Sequence, residues 1–583
     1  MQYIESTVDL LSDVIELDAP ASCYPLPSLK LSGQRQMMTF RTVILENDWS
    51  RIVVCPDLGG RVLELTDIAS GTNVLPSVNG VFPEPIGRRG VAWSAGLQWF
   101  AGFGERANAL APILYDVIEH DDGLTLVMMD LDPSTGLSTH ITMSLDADSA
   151  GVRVAGRCFN RTFLARPGAC GLLLSSDGRN VSLSDSGAIW HSTSHGSGIA
   201  IQTEPGLIEA VSDSNGAYRL DFFAEADENL LGPRASFEFE LTIYPLARLE
   251  PHVALGPSCV LSLGEMVQAR ALTQTLQGTI EITARDNQKF AAPLNIDPAK
   301  PFESKLAGGL ADPISVCVKD ADGAKLVVWP MPEPNVVPLS SPAPGWRAAT
   351  LSQVAMKLGQ QPFDPMLVNR AAKEPSLKPA CNLIRATERL STGEWREATE
   401  LLESSLAAHD SDPIAWWMLA ICRRNLGDDE AAADAMVAAH FVAPLDPVLR
   451  AESFLSQPLT MDKHPSPLVA PIVAFPDFLV DVACQLIESG LHADAVRWLD
   501  ECLRHGSVAA LHDLMAYCHM VGSKLDFEVA SHLAAAQKCE TEFPLPARNI
   551  HRHAVRQLST KFPNDGRLAA LVRTLDQVEA AQH

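Results

Sequence analysis

From about residue 40 to residue 335, short apolar runs rich in Val, Ile, Leu and Thr are interrupted by Gly, Asp, Asn and Pro. Arg51-Ile52-Val53-Val54-Cys55 runs into Pro56-Asp57-Leu58-Gly59-Gly60, and Leu124-Thr125-Leu126-Val127-Met128 is a second such run. This spacing of strands and turns predicts an all-β sandwich or barrel. Gly151 to Phe159 alternates with the period of two expected of a strand that lays one face on a core. A smaller β unit is expected over residues 265–335, with strands at Gly278–Ala284 and Ile314–Lys319 and a turn at Asp320-Ala321-Asp322-Gly323. Between Pro330 and Pro365 the prolines crowd together, which predicts an extended linker or surface wrap.

After Pro379 the pattern changes to helical period. Ala386, Gly393 and Ala398 recur 34 residues on as Ala420, Gly427 and Ala432. That is the period of tetratricopeptide hairpins, and Trp416, Leu419, Ala439 and Pro444 of the second copy also suit it. Ala483, Gly490 and Ala495 repeat the internal spacing after an insertion. The small residues have physical work in such a hairpin: Ala lets two helices approach closely, and Gly ends the first helix in a left-handed conformation. Further helices are expected near 508–520, 527–541, 546–560 and 566–580. The fold class is multidomain β + α. A β-sandwich is expected over 1–264, a small β unit over 265–335, a proline-rich linker over 336–375 and helical repeats over 376–583.

Composition narrows the function classes. The 583 residues exceed what one core organises, and no run approaches the ~18 apolar residues of a membrane helix. The N-terminus is acidic, with no basic region, apolar segment or cleavage site of an export signal, and the 12 cysteines are scattered without metal spacing. Both features predict reduced, mostly buried thiols in a cytoplasmic protein. The net charge of -26 disfavours nucleic acid and anionic membranes as partners. No phosphate loop, dinucleotide fingerprint or nucleophile elbow is present, so no cofactor or metal is expected.

Several segments occur in a telling order: Leu45-Glu46-Asn47-Asp48-Trp49-Ser50-Arg51-Ile52-Val53-Val54, then Pro56-Asp57-Leu58-Gly59-Gly60-Arg61-Val62, Arg89-Gly90-Val91-Ala92-Trp93-Ser94-Ala95-Gly96-Leu97-Gln98-Trp99 and Asn160-Arg161-Thr162. Together with the helical half they resemble a bacterial family, domain of unknown function 5107, in which a galactose-mutarotase-like β-supersandwich precedes tetratricopeptide repeats. The resemblance implies a carbohydrate on the concave face of a large antiparallel sheet, and an epimerase-like or glycoside-processing activity if the protein is an enzyme. In the epimerases a His acid and a Glu base exchange a proton. Here Gln98 stands where relatives usually carry Glu, and Glu105 where they carry His. Gln98 cannot titrate, though its amide still donates and accepts hydrogen bonds. A catalytically inactive interaction scaffold is the alternative reading.

The candidate site residues follow. Arg61, after Gly59-Gly60, either enters a cleft or is solvated at a tight turn. Arg88 and Arg89 either clamp sugar hydroxyls or a carboxylate, or form structural ion pairs. Trp93, Gln98, Trp99 and Glu105, spaced by Gly96, Gly102 and Gly104, suit a loop lining a polyol site, the tryptophans stacking on a pyranose or else sitting in the core. His191 and His195 lie among Ser and Gly as candidate sugar contacts. Glu105, His191 and His195 are the catalytic candidates. Arg61, Arg88, Arg89, Trp93, Gln98 and Trp99 are the binding candidates. The expected partners are a carbohydrate and, through the repeats, a second copy or another protein.

Overall fold

A computed structural model describes residues 1–17, 29–76, 80–81, 83–84, 91–92, 96–101, 112–132, 136–163, 166–167, 170–174, 179–184, 187–192, 196–203, 208–212, 218–222, 230–250, 252–273, 275–284, 288–305, 313–330, 365–455, 476–505, 509–521 and a few positions between 559 and 573. The N-terminal part is antiparallel β structure and the C-terminal part is helical, with nine helices among the described residues.

Two large sheets face each other. The ten-stranded sheet runs in space from Ile208–Ser212 through Tyr218–Phe222, Cys170–Leu174, Leu97–Ala101, Arg61–Asp67, Ser50–Cys55 and Leu29–Glu46 to Gln2–Leu17 and the short Gly80–Val81, with Thr72–Asn73 beside Arg61–Asp67. The eight-stranded sheet runs from Leu114–Glu119 through Gly123–Asp132, Leu137–Asp146, Val152–Asn160, Ser236–Ala247, Ser197–Thr203 and Gly187–Ser192 to Arg179–Ser184. Period-two alternation supplies the core between them: Leu45, Val54, Val62, Leu97 and Trp99 from one sheet meet Leu126, Met128, Met143, Val154 and Leu241 from the other. Asn47 ties the sheets together at one end. Its amide donates to the carbonyls of Asp146 (2.6 Å) and Ser149 (2.8 Å), while its side-chain oxygen accepts from the backbone of Trp49 and Ser50.

Two four-stranded sheets form the smaller unit. One is His252–Leu255, Cys259–Leu263, Met266–Ala271 and Phe302–Lys305; the other is Lys289–Ile296, Leu276–Ala284, Pro313–Asp320 and Lys325–Trp329. Their apolar faces share a core from Ala254 to Val327. In this unit His252–Leu255 pairs with Cys259–Leu263, which pairs in turn with Met266–Ala271, so its sheets begin at His252 and not at residue 265. Of the expected linker 336–375, residues 336–364 lie outside the described residues, and a helix begins at Pro365.

The helices are α1 (Pro365–Ala371), α2 (Lys378–Ser391), α3 (Trp395–Leu406), α4 (Pro413–Asn425), α5 (Asp429–Val442), α6 (Pro447–Leu455), α7 (Pro476–Glu488), α8 (His492–His505) and α9 (Ala509–Val521). The repeat reading holds in detail. Gly393, Gly427 and Gly490 follow α2, α4 and α7 with φ of 77°, 81° and 75°, and Ala386, Ala398, Ala420, Ala432, Ala483 and Ala495 are all buried. The helix expected at 508–520 is α9, whereas those at 527–541, 546–560 and 566–580 fall almost wholly outside the described residues. A Cβ at Gly427 meets nothing within 4 Å, so only its backbone conformation resists a side chain. Gly427→Ala is therefore expected to cost about 1–2 kcal/mol. An unchanged thermal melt would show that this left-handed cap does not form.

The array docks on the outer face of the eight-stranded sheet. Met129 and Leu131 point away from the sandwich core and join the apolar cluster of the helices. Arg234 reaches Asp412 through two hydrogen bonds (2.9 and 2.6 Å), and Arg161 reaches both Asp446 (3.0 Å) and Asp481 (2.6 Å). The Arg161–Asp446 and Arg234–Asp412 pairs are almost wholly buried. Asp412 and Asp446 also cap α4 and α6, accepting backbone hydrogen bonds from Ile414 and Ala415 and from Val448. Asn160 fixes the turn that aims Arg161, donating to the carbonyls of Leu231 and Gly232 and accepting from Thr162. Among the described residues no helix is long and apolar enough to cross a membrane.

Candidate functional site

Arg61 owes its position to a reversal. The strand Ser50–Cys55 ends in a short helical turn, Pro56–Leu58, and Gly59 and Gly60 then take left-handed φ of 69° and 73°. A Cβ on Gly60 would lie 2.6 Å from Ile113 Cδ1 and 2.9 Å from Met128 Sδ, so glycine is required there twice over. The chain returns as Arg61–Asp67 with Arg61 directly opposite Cys55. Opposed residues share a face, so the guanidinium lies on the outer side of the ten-stranded sheet, away from the sandwich core.

Gly96 brings the second residue alongside. Its missing Cβ would lie 2.5 Å from the carbonyl oxygen of Val62, so only glycine lets Leu97–Ala101 start this close to the strand of Arg61. Leu97 and Trp99 enter the core, and alternation sends Gln98 to the outer side, where its side-chain oxygen accepts a hydrogen bond from Arg61 Nη2. Both residues are buried, Arg61 at 1% and Gln98 at 2% exposure. Because its oxygen takes the arginine, the orientation of the amide is fixed, with Nε2 also buried. That nitrogen has no hydrogen-bond partner among the described residues.

Burial lowers the Arg61 pKa to about 10, partly opposed by Cys55, and leaves the group cationic at neutral pH. The Cys55 thiol is pushed up to about 12, first by burial and next by Asp57. Asp57 is engaged by Arg41 through its side chain (2.6 and 2.9 Å) and backbone (2.7 Å). The pair can hold an oxygen acceptor by charge-assisted and amide hydrogen bonds. Gln98 offers no proton to transfer.

The expectation that Gln98 and Trp99 line one loop is corrected. Residues 97–101 form a strand, and adjacent strand residues cannot face the same side. Trp99 stacks on Phe239 in the core at 6.3 Å between centroids, leaving no ring face for a sugar on the Gln98 side. His191 sits on the strand Gly187–Ser192 of the other large sheet, apart from Arg61 and Gln98. Arg88, Arg89, Trp93, Glu105 and His195 lie outside the described residues. Eight of the nine described cysteines are buried, and no cluster of potential metal ligands occurs among the described residues. Sequence reasoning overlooked Cys55 beneath Arg61, although its place in the strand before the double glycine fixes the pairing.

Residues 18–167 match the family model described as "Domain of unknown function (DUF5107)", so the family resemblance holds over that segment. A tetratricopeptide-domain protein from Parabacteroides distasonis is similar at 12% identity over 96% of each chain, with a TM-score of 0.35. A galactose mutarotase-like protein from Clostridium acetobutylicum is similar at 10% identity over 36% of this chain and 96% of its own, with a TM-score of 0.26. A putative aldose 1-epimerase from Escherichia coli is similar at 16% identity over 35% of this chain and 97% of its own, with a TM-score of 0.23.

Proposed function

We propose that this is a carbohydrate-binding or carbohydrate-active protein whose sugar site lies on the outer face of the ten-stranded sheet, with the helical repeats serving self-association or docking. One observation carries the reading: the buried Arg61–Gln98 pair, whose amide nitrogen is oriented by the arginine and has no partner among the described residues. Leaving such a donor unmet in the interior costs about 1–3 kcal/mol, a cost that a ligand oxygen would remove. Arg88, Arg89, Trp93 and Glu105 are proposed to complete the wall, Glu105 being the titratable candidate for any proton transfer. With Gln98 in place of a carboxylate, binding is the stronger expectation than anomer exchange.

The test is a thermal-shift screen over monosaccharides, disaccharides and sugar acids, since a ligand at 100 times its Kd adds ~2.7 kcal/mol. One sugar class is expected to raise the melting temperature of the wild type. Gln98→Leu is expected to weaken that ligand by ~0.5–1.5 kcal/mol, the worth of one hydrogen bond. An absence of any shift at millimolar ligand would favour a scaffold that binds no sugar.

A further inference from the structure

Along residues 2–10 the outer edge of Gln2–Leu17 meets no strand among the described residues. Gln2–Leu17 pairs with Leu29–Glu46 on one side, and on the other only Leu11 and Ser12 are met, by Gly80 and Val81. Residues 2–7 are exposed, and the outward backbone groups of residues 2–10 bond to no described residue. The stretch contains no proline or glycine, and its register with Leu29–Glu46 is regular until Asp13. Natural sheets usually shorten, bulge, cover or charge such an edge, because it is a template for another strand.

An apolar surface also runs off this edge. Leu10, Phe40, Ile44, Val53, Cys55, Leu58 and Leu63 form a cluster on the outer face of the sheet, with Val8 packed at its margin. Ile4 stands opposite Ile44 and Val8 opposite Phe40, so both belong to that face. Ile4 nevertheless remains 43% exposed, as does Tyr3 at 39% on the other side. The cluster is cut short where the sheet stops.

We propose that the strand edge 2–10 pairs antiparallel with the same edge of a second copy, joining two ten-stranded sheets across a twofold axis at Ser6. The register follows from parity and charge. Residues that oppose each other across such a pair must both be odd or both be even. A twofold at Ser6 sets Ile4 against Val8, Glu5 against Thr7 and Tyr3 against Asp9, so no carboxylate directly faces another. A twofold at Glu5 would oppose that residue to itself, and one at Thr7 would oppose Glu5 to Asp9, both unfavourable. Among these three, the Ser6 register alone carries an apolar pair, Ile4 against Val8, across the join without opposing two carboxylates. It also sets the outer faces carrying Arg61 and Gln98 on one continuous surface, so a polymeric ligand would meet two copies at once. The proposal does not depend on what that face binds.

The test uses the full-length chain with any tag at the C-terminus. Light scattering after size-exclusion chromatography is expected to give twice the mass of one chain at micromolar concentration. Ile4→Lys with Val8→Lys is expected to give the monomer mass, with only the modest fall in melting temperature that loss of a bound partner brings. Ser6→Cys is expected to yield a disulfide-linked dimer on mild oxidation, which the wild type does not form. If the double lysine variant melts far earlier, the Ser6→Cys cross-link decides the matter alone. A wild type that is monomeric throughout, a dimer unaffected by both lysines, or a Ser6→Cys chain that fails to cross-link overturns the proposal.

Discussion

Arg234→Met is expected to destabilise the protein by about 3–5 kcal/mol, the usual cost of removing one partner from a buried ion pair. The variant leaves the Asp412 carboxylate in a site where both partners are nearly inaccessible to water. Asp412 is still needed where it is, because the same oxygen that accepts from Arg234 caps α4 through Ile414 and Ala415. The carboxylate cannot swing out to solvent without uncapping the helix. Adding Asp412→Asn to Arg234→Met removes the stranded charge and retains a capping oxygen, so the double variant is expected to recover part of the loss. Urea denaturation followed by tryptophan fluorescence, to which Trp417 and Trp498, both buried in the array, contribute, reads the change. A loss below about 1 kcal/mol, the range of an exposed pair, would mean the array is not docked through this contact.

The second large effect is acid sensitivity centred on His140. Its ring lies on the face of the eight-stranded sheet that receives the helices, opposite Met129 and Arg157 in the neighbouring strands. Neither ring nitrogen has a hydrogen-bond partner among the described residues. Burial first, then the charges of Arg157 and Arg161, lower its pKa to about 3. An unfolded chain has it near 6.5, so between these values the unfolded state binds the extra proton and stability falls as pH falls. From pH 8 to pH 5 this one group is expected to remove about 2 kcal/mol, and the loss continues toward pH 3. His440 and His512 are also lowered by burial and act in the same direction. The discriminating measurement is therefore a difference: His140→Met should flatten the stability profile below pH 6.5 relative to wild type. Parallel profiles for the two proteins would rule out a buried neutral His140.

The helical half was the most legible in sequence because its signals are local. A left-handed glycine after each first helix and an alanine at each close approach are requirements within a hairpin, so Gly393, Gly427 and Ala420 announce themselves. Strands were legible by alternation, as at Val152–Asn160, whose buried and exposed residues alternate over its first half. The candidate site was only half legible. Gly59-Gly60 pointed to Arg61, but treating residues 93–105 as a loop hid the rule that separates Gln98 from Trp99, although Leu97-Gln98-Trp99 already alternates apolar and polar. Arg161 and Arg234 were not singled out because their partners lie 285, 320 and 178 residues away. A clue existed nonetheless in Asp412-Pro413 and Asp446-Pro447, two helix starts one repeat apart.

Those two starts act as a gauge of length. Arg234 and Arg161, on a rigid sheet, hold the first residues of consecutive hairpins, so the 34 residues from Asp412 to Asp446 span a fixed gap. One residue inserted within α4 or α5 would turn everything beyond it by ~100° and advance it by ~1.5 Å, carrying Asp446 away from its arginine. Tolerance to insertion should therefore be lowest between Asp412 and Asp446. The repeat spacing lengthens only beyond that span, where Ala483 follows Ala420 by 63 positions and not 34.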